Sequence, residues 1–129
     1  LLLYFEYSGN IVDASKGGAY VAAMKLDDAA ARLEALGNPT RLRVYRLLVR
    51  AGDAGMTVGK LQDRLEIAAS TLSHHLKTLV TVGLVTQERE ATTLICRANY
   101  AVMHALVAYL VDECCAEGAC PPGFERSRA

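Results

Sequence analysis

Two groups of side chains in this chain have the types and spacing to do chemistry. The first is sulfur: Cys114, Cys115 and Cys120 lie in Asp112-Glu113-Cys114-Cys115-Ala116-Glu117-Gly118-Ala119-Cys120. Three thiolates with no histidine or fourth sulfur close by favour a soft, thiophilic centre over magnesium, calcium or four-coordinate structural zinc. Trivalent arsenic, which forms a three-sulfur pyramid with its lone pair on the open side, matches this donor set best. Antimonite, cadmium and mercury share the same softness. The second group is the run ASTLSHHLKTLVTVGL, residues 69 to 84. At about 3.6 residues per turn, Leu72, Leu76, Leu79 and Val80 form an apolar stripe, and Ser70, Thr71, His74, Lys77, Thr78 and Thr81 crowd the opposite face. That face carries hydroxyls, an imidazole and an ammonium, with no carboxylate to repel a phosphate, and such groups suit base edges and phosphate oxygens.

The elements that must position these groups are legible in outline. Asp27 is expected to cap a first helix running to about Leu36, with Ala30, Leu33 and Leu36 at helical spacing and Gly37 as its stop. Asn38-Pro39 starts a second helix whose Leu42, Tyr45, Leu48 and Val49 face inward and whose arginines face out. Gly52 to Met56 reads as a turn, after which Thr57 caps a short helix bearing Val58, Leu61 and Leu65. Ile67-Ala68-Ala69 joins it to the helix with the polar face, and Gly83 ends that helix. Two helices joined so tightly make a helix-turn-helix. The β-prone runs Leu84–Glu88 and Thr93–Arg97 around Arg89-Glu90-Ala91-Thr92 then read as a hairpin, hence a wing. Asn99 caps a last helix, Tyr100 to Cys115, whose Val102 to Val111 leave almost no polar face. A helix apolar on all sides must be covered on more than one side. The expectation is that it pairs with a second subunit together with the first helix, giving a homodimer with two reading helices for a roughly palindromic site. The fold class is therefore mainly α with a small β-hairpin wing, a winged helix-turn-helix dimerising through its first and last helices.

Composition bounds the alternatives. The chain has 129 residues, 52% hydrophobic and 22% charged, with a formal net charge of zero, which fits one domain with a sizeable core. Charge is unevenly spread: residues 38 to 99 hold nine basic against five acidic side chains, a local net of +4, and the segments on either side are each acidic by two. Residues 1 to 23 differ in character from the chain beyond Met24 and lack the pattern of a signal peptide. They are set apart as a leader from which no function is drawn. Residues 24 to 120 form the working domain and 121 to 129 a tail. The cysteines do not look like a secreted disulfide framework, so a reducing, cytoplasmic setting is expected. No apolar stretch reaches the roughly 18 residues needed to span a membrane. Cys96, at a strand position, is expected to be a buried small hydrophobe. The carboxylates beside the other three cysteines should raise their thiol pKa values, which makes a poor nucleophile site and argues against a thiol enzyme.

In LGNPTRLRVYRLL, STLSHHLKTL and VGLVTQER the chain resembles the ArsR (ArsR/SmtB) family of winged-helix transcriptional repressors that respond to metals and metalloids, over about Leu33 to Cys120. The resemblance implies that Ser70, Thr71, His74 and Lys77 enter the major groove of operator DNA and that Arg89 in the wing approaches the minor groove. It departs from the family at three places. Ala68 stands where a polar cap is usual, Val58 to Leu65 lack the Cys-x-Cys pair that many members carry, and His104 stands alone where an interfacial zinc site would need partners. The C-terminal cysteines instead resemble a subgroup of arsenite-responsive repressors with three cysteines at the end of the last helix. The expected mechanism is a homodimer that binds double-stranded operator DNA when ligand-free and lets go when As(III), or Sb(III), ties together Cys114, Cys115 and Cys120. A break at Gly118 would let Cys120 fold back onto the adjacent pair. Because each thiol loses its proton on binding, affinity is expected to rise with pH. The same cysteines could alternatively serve a redox-sensing regulator or a repressor of another soft metal.

Overall fold

Three short polar side chains set the helix starts. In the computed structural model of the chain, which describes residues 4–7, 10–13 and 23–124, Asn38 caps helix α2 (Pro39–Ala51) by accepting from the Arg41 N–H at 3.1 Å. Thr57 does the same for α3 (Val58–Leu65), accepting from the Lys60 N–H at 3.2 Å, and Asn99 for α5 (Tyr100–Val111), accepting from the Val102 N–H at 3.3 Å. Each satisfies a backbone donor that the first helical turn would otherwise leave unpaired. The first helix, α1 (Leu26–Leu36), starts differently from the expectation. Its cap position is Lys25 with no side-chain bond, and Asp27 lies inside the first turn beside Asp28, where carboxylates complement the helix dipole.

Helix α4 (Ala69–Thr81) follows α3 through Glu66, Ile67 and Ala68. Glu66 makes the sharp turn by adopting the left-handed region at φ 53°, and its N–H reaches the Gln62 carbonyl at 2.8 Å. A three-stranded antiparallel sheet completes the domain in the order β3-β5-β4, with β3 Met56–Thr57, β4 Val85–Glu90 and β5 Thr93–Ala98. The wing hairpin is therefore present, but its turn is only Ala91-Thr92, and Arg89 and Glu90 belong to β4, opposite Leu94 and Thr93. Ala91 supplies the tight bend at φ 54°. Met56, expected in a turn, pairs instead with Cys96. Gly55 just before it stands at φ +69°, and a Cβ there would lie 2.5 Å from the Cys96 carbonyl oxygen.

The core gathers where α2, α3, α4 and the sheet meet: Val44, Leu48, Leu61, Leu72, Leu76, Leu79, Leu84, Val85, Cys96 and Val102 are fully buried. The apolar stripe of α4 is thus the packed one, and Cys96 is a core residue. One expectation about a helix face is corrected. Leu42 points out at 42% exposed, because the inward face of α2 centres on Val44, Tyr45 and Leu48. On α1 the buried residues are Asp28, Ala29, Arg32 and Ala35, and Ala30 and Leu33 face outward. The last helix ends at Val111 rather than at Cys115, and residues 112 to 118 continue as turns.

Near the N-terminus, β1 (Tyr4–Tyr7) and β2 (Asn10–Asp13) pair as an antiparallel hairpin, with Tyr4 opposite Asp13. The remainder of the segment read as a leader up to residue 22, and the tail beyond residue 124, lie outside the described residues. No described helix is long and apolar enough to cross a membrane.

Candidate nucleic-acid interface and thiol cluster

The polar face of α4 stands clear of the core. Ser70, Thr71, His74 and Lys77 are all exposed, as is Ser73 between them. The helix begins at Ala68 without a side-chain cap, so its first-turn amides point outward with no side chain bound to them, at the positive end of the helix dipole. The later threonines differ. Thr78 donates its hydroxyl to the His74 carbonyl at 3.2 Å and Thr81 to the Lys77 carbonyl at 2.7 Å. Such back-bonding within a helix uses up the hydroxyl donor, so the donors free to face outward lie between Ser70 and Lys77.

His75 is not equivalent to its neighbour. It is half-buried, its Nδ1 is buried without a hydrogen-bond partner among the described residues, and its ring tilts 55° against that of His74 at a centroid distance of 5.8 Å. Burial, then Arg41 and His74, push its pKa down, which disfavours the charged form of the imidazole. Beside α4, Ser73, Lys77 and Thr81 share a cleft of about 250 Å³ with Val58 of α3 and with Gln87 and Leu94 of the wing. Arg89 is exposed near the wing tip. Arg97, also counted in the basic middle of the chain, is committed internally: its Nη1 pairs with Glu88 at 2.8 Å and its Nε donates to the Asp53 carbonyl at 2.8 Å. These contacts tie the wing to the turn after α2.

The three C-terminal cysteines sit directly beyond α5, each half-buried. Adjacent side chains on a regular helix diverge by about 100°, but here the helix has already ended and Cys115 takes the left-handed region at φ 59°. The two neighbouring sulfurs consequently face one another at 3.7 Å. The backbone turns through the left-handed region at Cys115, and it bends again at Gly118, where the break was expected. A hydrogen bond with the Cys120 thiol, then burial, then the Cys114 thiol push the pKa of Cys115 up to about 12. The direction agrees with the sequence expectation, but the cause is the thiols themselves rather than the carboxylates. Among the described residues no group of three or more His, Cys, Asp or Glu side chains is already arranged around a metal-sized space, so the turn would have to tighten to engage all three sulfurs at once.

One residue that sequence patterning missed bears on the end of α4. Arg32 on α1 is buried at 6% exposed, and its Nε donates to the Val82 carbonyl at the end of α4 at 2.9 Å. Read along the sequence, it is one more charge on an alanine-rich helix.

Comparison with known proteins places this architecture. A helix-turn-helix domain family matches residues 36–88. An uncharacterized HTH-type transcriptional regulator of Methanocaldococcus jannaschii is 40% identical over 68 residues, covering 53% of this chain and 74% of the relative. A putative arsenical resistance operon repressor of Halobacterium salinarum is 34% identical over 79 residues, 61% of this chain and 57% of the relative. Among solved structures, an ArsR family transcriptional regulator shares the fold at TM-score 0.61 with 22% identity, covering 71% of this chain and 92% of that one. The homodimeric winged helix-turn-helix domain of a possible ArsR-family regulator from Mycobacterium bovis aligns at TM-score 0.54 with 28% identity, covering 72% of this chain and 92% of that one.

Proposed function

The chain belongs to the ArsR family of winged-helix transcriptional regulators, and on that premise we propose that it is a cytoplasmic, homodimeric repressor whose grip on operator DNA is released when Cys114, Cys115 and Cys120 bind trivalent arsenic. It is a transcriptional regulator and not an enzyme. In this reading Ser70, Thr71, His74 and Lys77 enter the major groove, and Arg89 reaches toward the adjacent minor groove from the wing. The exposure of those five side chains and the lack of any carboxylate on α4 support the assignment.

A second copy of the chain covers the outward apolar surface. Leu33 on α1 and Val107, Leu110 and Val111 on α5 are all exposed, α1 and α5 touch one another, and the similar Mycobacterium bovis domain is homodimeric. Two-fold symmetry then presents two copies of α4 to half-sites about one DNA turn apart.

The observation that supports the ligand assignment is the approach of the Cys114 and Cys115 sulfurs to 3.7 Å immediately past α5, with Cys120 five residues on in the same turn segment. Arsenous acid fits this donor set. Each As–O bond gives way to an As–S bond, and each departing hydroxide leaves with a thiol proton as water, so no charge is created in the site. Antimonite shares this chemistry. Redox sensing by the same cysteines is the second reading, favoured by the 3.7 Å approach of the Cys114 and Cys115 sulfurs. Because the sulfurs adjoin the dimer helix, gathering them alters how the two subunits sit, and a coupling of about 1–3 kcal/mol already changes DNA affinity about 5- to 150-fold. Titrating arsenite into protein bound to a fluorescent duplex selected from a random pool tests the proposal. Release of the duplex in step with arsenic uptake is expected, and full uptake with unchanged DNA affinity rules it out.

A further inference from the structure

The end of α4 is held from outside the helix. The carbonyls at a helix C-terminus carry partial negative charge and are best met by a cation, yet the last turn of α4 contains no basic residue. Arg32 supplies one from α1, 50 positions away in sequence: its buried guanidinium donates through Nε to the Val82 carbonyl at 2.9 Å. Val82 is the C-cap of α4, and Gly83, at φ 82°, turns the chain into the wing. One buried contact therefore sits at the junction of the reading helix and the wing.

The other end of that contact is equally specific. Helix α1 has two faces: Asp28, Ala29, Arg32 and Ala35 are turned into the domain, and Leu26 and Leu33 are turned out. The outward face is the one assigned to the second subunit. Arg32 thus stands on the inner side of a dimer helix and grips the reading helix.

We propose that Arg32 is a positioning residue that sets the angle of α4 and the wing relative to the dimer helices, and hence the spacing between the two reading heads. It rests on the DNA-binding dimer described above. One head on one half-site needs no particular angle between subunits, whereas two heads on a palindrome do. The inference is therefore about paired engagement and not about contact with bases.

Arg32→Met and Arg32→Lys, each compared with the unaltered chain, test it on two probes: a palindromic duplex selected from a random pool by the unaltered protein, and the same duplex with one arm scrambled. For Arg32→Met, affinity for the one-armed duplex should stay within about twofold while the palindrome loses about tenfold or more of the gain that comes from engaging both arms. Arg32→Lys should recover part of that loss, because an ammonium keeps the charge at the carbonyl but lacks the planar fork. Equal losses on both probes, which general damage to the fold would produce, overturn the proposal, as does a palindrome affinity left intact. Should Arg32→Met fail to fold, Arg32→Lys must show the same split at smaller amplitude, and its absence counts against the proposal. If the unaltered chain itself does not prefer the palindrome, the dimeric DNA-binding reading falls and this inference with it.

Discussion

Leu110 offers the sharpest measure of whether α5 is the dimer helix. It is 58% exposed among the described residues of the single chain, next to Val107 at 55% and Val111 at 37%. Full burial of a leucine is worth about 1.5–3 kcal/mol, so covering the exposed portion contributes about 0.9–1.7 kcal/mol per copy. Two-fold symmetry uses the position twice, giving about 2–3.5 kcal/mol per dimer, a factor of about 30–400 in Kd. Leu110→Asp removes that contribution and adds the cost of taking two carboxylates out of water, so the weakening should be at least this large. Sedimentation equilibrium over a range of concentrations reads the change directly. Helix content by circular dichroism at high concentration should stay the same, because the exposed side chain makes little of the protomer core. A Leu110→Asp variant with the dimer Kd of the unaltered protein would refute both the interface and the spacing argument built on it.

Other outcomes rest on the same geometry. His74→Ala and Lys77→Ala should weaken binding to the selected duplex while leaving arsenite uptake unchanged, and Lys77→Ala should lower the slope of log affinity against log salt by about one if it meets a phosphate; parallel loss of DNA and arsenite binding in a folded variant would contradict the separation of the two sites. Because Cys115 keeps its proton up to about pH 12, a divalent cation such as cadmium must displace it, and cadmium affinity should rise about tenfold per pH unit through Cys115 alone. Arsenous acid instead removes that proton as water, so the expected rise with pH does not apply to it, and calorimetric titrations between about pH 6 and pH 8 should give a flat arsenite affinity; a cadmium-like slope for arsenite would exclude the three-thiol condensation. Ala68→Ser supplies the cap that α4 lacks and should stabilise the fold by about 0.5–2 kcal/mol, with an unchanged or lower thermal midpoint counting against an uncapped start.

The parts of the fold that could be read from sequence are those decided within a few residues. Asn38, Thr57 and Asn99 each bond to an amide three positions on, and a cap is a local contest that distant packing rarely reverses. The alternation around Ala91-Thr92 is local in the same sense, and the reading face of α4 was visible because an absence of acidic residues is a property of composition. What was not legible depends on partners far along the chain. Leu42 fits a helical stripe with Tyr45 and Leu48 but lies about 200° from Val44 around the axis, and only the position of the sheet and neighbouring helices decides which of the two is inside. The two-residue strand Met56–Thr57 exists because β5 offers it an edge. The end of α5 was within reach: Asp112 and Glu113 place negative charge at the negative end of the helix dipole, a stop signal that the apolar run before them obscured. The thiol cluster was legible as a donor set, whereas its convergence depends on a left-handed residue at Cys115 that no glycine announces.

In the proposed mechanism, α1 is the two-sided element that spans the distance between the thiols and the reading helix. The thiols adjoin α5, α5 touches α1, and α1 holds α4 through Arg32. A hydrogen bond involving a charged group contributes about 1.5–3 kcal/mol, which is the size of the coupling free energy, about 1–3 kcal/mol, that a useful regulatory response requires. A ligand that tightens the turn beyond Val111 therefore need not deform the reading helix or reach it. In the proposed mechanism, shifting α1 changes DNA affinity by as much as the Arg32 contact is weaker in the DNA-bound dimer than in the free one, without disturbing the protomer core around Leu72, Leu76 and Leu79.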